Sequence, residues 1–285
     1  MSCSARLLIQ CADQPGIVAA VTRFLFEHAA NVTHLDQHST EMTGGLFYMR
    51  VEFQLPDLEP PDQRLRAAFD AQVGQPFAMH WSMVDARVRK RMVIFASRTE
   101  HTLQELLWRH ARGDLPVEIK AVISNHAETE EHARRFDVPF RHIPVTAETK
   151  AEAEAQALDV IGDDTDLIVL ARYMQILSPA LVERFPERII NIHHSFLPAF
   201  IGADPYRQAY ERGVKLIGAT AHYVTSELDQ GPIIEQDVSR VTHRDDVDAL
   251  RAMGRDIERR VLARAVHWHV EDRVIVSGHR TVVFR

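Results

Sequence analysis

The chain has 285 residues, with 33 Lys and Arg against 40 Asp and Glu, for a net charge of −7. That balance argues against a nucleic-acid binder, whose affinity rests on neutralising phosphates, and the absence of a run of about 18 apolar residues argues against a membrane span. The two cysteines, Cys3 and Cys11, lie so close together that a disulfide would staple almost nothing, and the first residues lack the apolar core of a signal peptide; a cytoplasmic location is expected.

Residues 5–10 read as a short apolar strand. Asp13-Gln14-Pro15-Gly16 is a turn that opens a helix, with apolar positions at 17, 18, 21, 24, 25 and 29. Residues 32–39 and 46–53 alternate as strands around a turn at Thr43-Gly44-Gly45. Pro60-Pro61-Asp62 starts a second helix carrying Leu65, Ala68 and Phe69, and residues 77–84 close as a strand. The order β-α-β-β-α-β is the split unit of ferredoxin-like domains. This assigns 1–84 to a first domain, 85–91 to a charged linker and 92–285 to a second domain.

In the second domain, strands are expected at 92–96, 117–123, 140–145, 167–170, 189–192, 216–224 and 233–241. Helices are expected at 103–110, 128–136, 149–161 and 179–185. Thr242 and Asp245 resemble a helix start, and Leu250, Met253, Ile257, Val261 and Ala265 mark one face of a long helix. Residues 273–284 read as a hairpin turning near Gly278. Alternating strands and helices imply a Rossmann-like, mostly parallel sheet covered on both faces.

Two stretches carry the chemistry. Ile189, Ile190 and Ile192 form a buried strand that Pro198 bars from continuing, so Asn191 and His193 share one side of its carboxyl end. In open α/β sheets ligands bind at that end. Downstream, the apolar run that ends at Val224 leads into a loop with Asp229, closed by Gly231-Pro232. An amide, an imidazole and a carboxylate in one crevice suit acyl chemistry: oxyanion stabilisation, proton transfer and orientation. By themselves Asp229 and Gly231-Pro232 also fit a plain turn, and Met174, Ile176 and Leu177 fit ordinary core. No His-Glu-x-x-His or zinc-spaced cysteine pair occurs, so no metal site is expected. His267 and His269 lie two apart on a helix and do not share a face, which points to a solvated or capping role. Ser195 lacks a Gly-x-Ser-x-Gly elbow and reads as a hydrogen-bonding support rather than a nucleophile.

These residues resemble the folate-dependent formyltransferase family, through Asn191 and His193, the run His194-Ser195-Phe196-Leu197-Pro198, and His222 followed by Asp229, Gly231 and Pro232. The resemblance implies that Asn191, His193 and Asp229 are catalytic. It also implies a pterin pocket formed by Met174, Gln175, Ile176, Leu177, Val224, Thr225, Ser226 and Glu227, with His222, His194 and Ser195 in support. The opening Asp13 to Val21 looks like an ACT domain, a regulatory module that pairs with copies of itself and often binds amino acids; the local residues alone also fit a plain turn and helix start. The implied partners are 10-formyltetrahydrofolate, an amino-acid effector and further copies of the chain, in a homo-oligomer expected to be a tetramer.

Family members that formylate glycinamide ribonucleotide hold its phosphate on a Gly-rich loop, which lets backbone N–H groups approach the anion. The corresponding residues 95–104 contain no glycine and include Glu100. Members that formylate methionyl-tRNA carry a further domain for tRNA. The chain is therefore similar to the hydrolytic branch of the family, which has an ACT domain in front and water as acceptor. The resemblance implies hydrolysis of 10-formyltetrahydrofolate, no cofactor, and formate that feeds purine synthesis. Arg141, Thr102 and Asp204 depart from the usual pattern. Two other readings stay open: an amino-acid sensor that binds folate without turnover, and formyl transfer to an unphosphorylated amine.

Overall fold

The computed structural model describes residues 3–41, 44–55, 63–199 and 205–285. The expected helix start at Pro60-Pro61-Asp62, the turn residue Thr43 and the departure Asp204 lie outside these. The chain forms two compact units. One comprises residues 1–89 with 271–277 and 282–285; the other comprises 90–270 with 278–281.

In the first unit, β1 (Cys3–Ala12), β2 (Asn31–Ser39), β3 (Leu46–Leu55) and β4 (His80–Asp85) pair antiparallel in the order β2-β3-β1-β4. Helix α1 (Ile17–Glu27) starts at Gly16, whose φ of 99° is left-handed and suits glycine. Helix α2 (Gln63–Phe69) runs on into a π turn over Asp70–Gly74. Ile17, Val21, Phe24 and Leu25 from α1 pack on Leu7, Ile9, Val51 and Phe53 of the sheet. The alternation expected of residues 32–39 does not bury a face: β2 is an edge strand with Val32 and Leu35 exposed. Residues 271–277 and 282–285 join this unit rather than following the long helix that precedes them. Arg50, which is 1 % exposed, explains why: Nε donates to Asp272 O at 3.0 Å and Nη2 to Glu271 O at 3.0 Å.

The second unit is a seven-stranded sheet in the order β11-β10-β9-β8-β5-β6-β7. Its members are β5 (Lys90–Ala96), β6 (Val117–Ser124), β7 (Phe140–His142), β8 (Leu167–Ala171), β9 (Ile189–His193), β10 (Leu216–Tyr223) and β11 (Ile233–Arg240). Strands β5 to β9 are parallel, whereas β10 runs antiparallel to both its neighbours. Every residue of β8 is buried, as expected of a strand covered on both faces. The strand order reverses between β5 and β8, which makes the carboxyl ends there the natural place for a ligand.

The helices are α3 (His101–Arg112), α4 (Glu130–Arg134), α5 (Lys150–Ile161), α6 (Pro179–Arg184), α7 (Pro205–Glu211) and α8 (Val247–Val270). Helix α7 has no counterpart in the sequence reading. The helix after Thr242 starts two residues beyond Asp245. Thr242 and Asp245 close a turn, and Asp246 Oδ1 accepts from Ala249 N at 2.8 Å in their place. The C-terminal hairpin strands are β12 (Val274–Ser277) and β13 (Arg280–Val283), with Gly278 between them at φ 60°.

Candidate active site

Strand β9 presents Asn191 and His193 on one side at its carboxyl end. Opposite Asn191 in the neighbouring strand stands His222. The loop after β10 brings Asp229 back onto both: Asp229 Oδ2 lies 3.2 Å from His193 Nδ1, and Oδ1 lies 3.6 Å from His222 Nε2. Asp229 has a left-handed φ of 56°, a strained conformation of the kind that collects at functional sites. The loop is anchored by Val224 N donating to Ile189 O at 2.9 Å and Tyr223 N donating to Pro232 O at 2.9 Å. Gly231 is required there, since a Cβ would fall 1.7 Å from Tyr223 O.

His222 Nδ1 lies 2.9 Å from Tyr223 O, and its Nε2 faces Asn191 Nδ2 at 3.2 Å and Asp229 Oδ1 at 3.6 Å. The amide thus keeps a second N–H free. Bonds from His193 and then His222 hold the Asp229 carboxyl well below the usual carboxylate range. With its Nδ1 turned to this carboxylate, His193 keeps Nε2 buried and without a partner among the described residues. Burial, with the Arg172 charge beside it, pushes the adjacent His194 down to about 4, so that ring is neutral near pH 7.

These groups border a cavity of about 450 Å³. Its lining includes Asn191, His193, His194, His222 and Asp229, together with all eight residues expected to hold a pterin: Met174 to Leu177 and Val224 to Glu227. Met174 and Ile176 are exposed at its edge, and Met174 has φ 61°. Ser195 falls outside the cavity. Its Oγ donates to Ala199 O at 2.7 Å, within the turn that follows β9. Of the solvated or capping role expected for His269, the solvated alternative does not hold: its Nδ1 lies 2.8 Å from Tyr223 Oη, and burial pushes its pKa down to about 3.

The sequence reading passed over Arg172, which lines the cavity at φ 62°, and Glu258, which is buried behind it. Nothing local in the sequence marks Arg172 as a wall residue. Among the described residues, no group of three or more His, Cys, Asp or Glu side chains is placed to hold a metal ion. No helix among them is long and apolar enough to cross a membrane.

A crevice at the ends of β8, β9 and β10 that gathers an amide, an imidazole and a carboxylate suits the formyl transferase class, here joined to a ferredoxin-like unit. Residues 90–266 match the family Formyl transferase, and residues 5–70 match the family ACT domain. The chain is 55 % identical over 280 residues to formyltetrahydrofolate deformylase of Bacillus subtilis (strain 168), covering 98 % of this chain and 93 % of that protein. The crystal structure of a formyltetrahydrofolate deformylase from Pseudomonas syringae pv. tomato str. DC3000 superposes with a TM-score of 0.94 at 45 % identity, covering 100 % of this chain and 95 % of that one. That of the Burkholderia mallei ATCC 23344 enzyme gives 0.91, also at 45 % identity, covering 99 % and 100 %. The chain belongs to the formyltetrahydrofolate deformylase family.

Proposed function

We infer that this chain hydrolyses 10-formyltetrahydrofolate to tetrahydrofolate and formate, and that Asn191, His193 and Asp229 carry the reaction. The observation that carries the reading is the convergence of these three side chains on one cavity, with Asp229 3.2 Å from His193.

The N10-formyl group is an amide-like carbonyl. Water adds to its carbon, the oxygen becomes an oxyanion, and the intermediate collapses by expelling N10. The free N–H of Asn191 donates to the oxyanion, a contact whose loss typically costs about 3 kcal/mol of transition-state stabilisation. His193 moves the protons at Nε2, taking one from water and returning one to N10. A carboxylate held below its usual pKa is a weak base, so Asp229 aligns His193 and stabilises the imidazolium rather than accepting the proton itself. His222 steadies both Asn191 and Asp229. The pterin lies against Met174, Gln175, Ile176 and Leu177, with the loop of Val224, Thr225, Ser226 and Glu227 reading its edge. Every step draws on side chains and water, and folate enters as substrate.

The ACT match over residues 5–70 supports a regulatory first domain, 1–84, joined by 85–91 to the catalytic part that begins at 92. In this reading the first domain takes an amino-acid effector and associates with its copies in a tetramer. The reaction belongs to the cytoplasm, in keeping with the free thiol of Cys11. It balances formyl-tetrahydrofolate against free tetrahydrofolate and supplies formate for purine synthesis. Purified protein given 10-formyltetrahydrofolate alone is expected to release one formate for each tetrahydrofolate. Bound folate with no formate would overturn the reading.

A further inference from the structure

Arg172 and His194 both line the cavity. Behind them stands Glu258 of α8, 1 % exposed. Its Oε1 accepts from Tyr206 Oη at 2.7 Å, and its Oε2 lies 2.8 Å from His101 Nε2 and 3.6 Å from Arg172 Nη1. The His194 ring lies 6.1 Å from Tyr206 and 5.2 Å from His193, so the cluster is two side chains away from the reacting centre. A buried carboxylate is costly unless paired. Burial pushes the Glu258 carboxyl up, but the His101 bond, the Arg172 charge and the Tyr206 bond outweigh it and hold it ionised.

The partners come from separate elements: His101 opens α3, Arg172 follows β8, and Tyr206 lies on α7. Tyr206 reaches Glu258 only because residue 254, one turn earlier on α8, is glycine; a Cβ there would fall 2.0 Å from Tyr206 Oη. Arg172 is held by charge and packing, since its Nε and Nη1 have no hydrogen-bond partner among the described residues. The mechanism above uses none of these groups.

We propose that Glu258, braced by His101, Tyr206 and Arg172, is a specificity plug that leaves room at the formyl carbon for water but not for an amine. The inference rests on the hydrolytic reading. In this proposal the folate donor lies against residues 174–177 and 224–229, so an acceptor comes from the side of Arg172 and His194. There the His101–Glu258 bridge ties the first turn of α3 to α8 behind Arg172 and His194. An amine let in would attack the formyl carbon, forming a new C–N bond as the bond to N10 breaks. One amine proton would pass to N10, giving an N-formyl amine and tetrahydrofolate instead of formate and tetrahydrofolate.

The test compares the full-length parent, His101→Ala, the double variant His101→Ala/Glu258→Ala and the shape-preserving Glu258→Gln, each turning over 10-formyltetrahydrofolate with glycinamide present. N-formylglycinamide and formate are quantified by mass spectrometry. The parent and Glu258→Gln are expected to yield formate alone. In the double variant the ratio of N-formylglycinamide to formate should rise at least about tenfold over the parent's background, or about 1.4 kcal/mol between the two barriers. His101→Ala removes a side chain in the first turn of a helix and covers the case where the double variant does not fold; it should move the ratio the same way by less. Formate from every folded variant with no rise in the ratio overturns the plug alone, as does a parent that already formylates the amine. A parent that releases no formate overturns the hydrolytic reading, and the plug with it.

Discussion

Replacing Asp229 by asparagine removes a charge while keeping the shape of a side chain that bridges two imidazoles, 3.2 Å from His193 and 3.6 Å from His222. In the ground state the effect is small, because a neutral His193 needs only a hydrogen-bond acceptor. In the transition state His193 carries a proton, and the attraction between the two charges grows with it. With about 4 Å between charge centres and an effective dielectric of about 20, that attraction is about 4 kcal/mol. Its loss corresponds to about a 10³-fold fall in kcat. The apolar slot for the pterin is untouched, so KM should change less than about tenfold. Initial rates of formate release over a range of 10-formyltetrahydrofolate concentrations separate the two constants. A variant that kept kcat within about tenfold of the parent would refute the role given to Asp229, and with it the assignment of His193 as the group that becomes charged.

Asn191→Ala should lower kcat by about 10² or more with little change in KM, since the lost N–H acts only on the oxyanion; the same rate assay checks it. Gly231→Ala should abolish turnover and lower the unfolding midpoint, because the clash is with the backbone at Tyr223 O and the loop carrying Asp229 must move; circular dichroism melts and rates report both. The Asp229 carboxyl is held below its unfolded value of about 3.9, so its contribution to stability is complete above that pH and is lost as pH falls through the folded value. Urea unfolding of the parent and Asp229→Asn at stepped pH should show a gap that is constant above about pH 5 and shrinks in acid.

Period and punctuation made much of the architecture legible. Asn191 and His193 could be placed together because side chains two apart on a strand share a side, and Pro198 marked where that strand stopped. The closure of Asp229 onto them was not visible in the residues themselves. It depends on a left-handed φ at a non-glycine residue and on a glycine pressed against Tyr223 O, both imposed by the surrounding loop. Glu258 was still less accessible. Beside Ile257 on a helix rich in charge it reads as solvated, and its partners lie 157 and 52 residues away in the chain. The edge strand β2 shows the converse: the pattern over residues 32–39 signals a strand but not a buried face. The start of α8 was displaced because Thr242 and Asp245 satisfy each other, leaving the capping to Asp246.

The contacts of Arg50 bear on how the chain is made. Its donors end on carbonyls of residues 221 and 222 positions further on, yet its own strand is among the first to be synthesised. Two hydrogen bonds from a buried guanidinium are worth roughly 3–6 kcal/mol together, comparable with the stability margin of a small domain. At translation rates of about 5–20 residues per second, those carbonyls follow Arg50 by on the order of 10–45 s. The first unit therefore waits, incompletely satisfied, while residues 90–270 of the second are synthesised, and a chain stalled before residue 271 would carry a defect in the part it had made first.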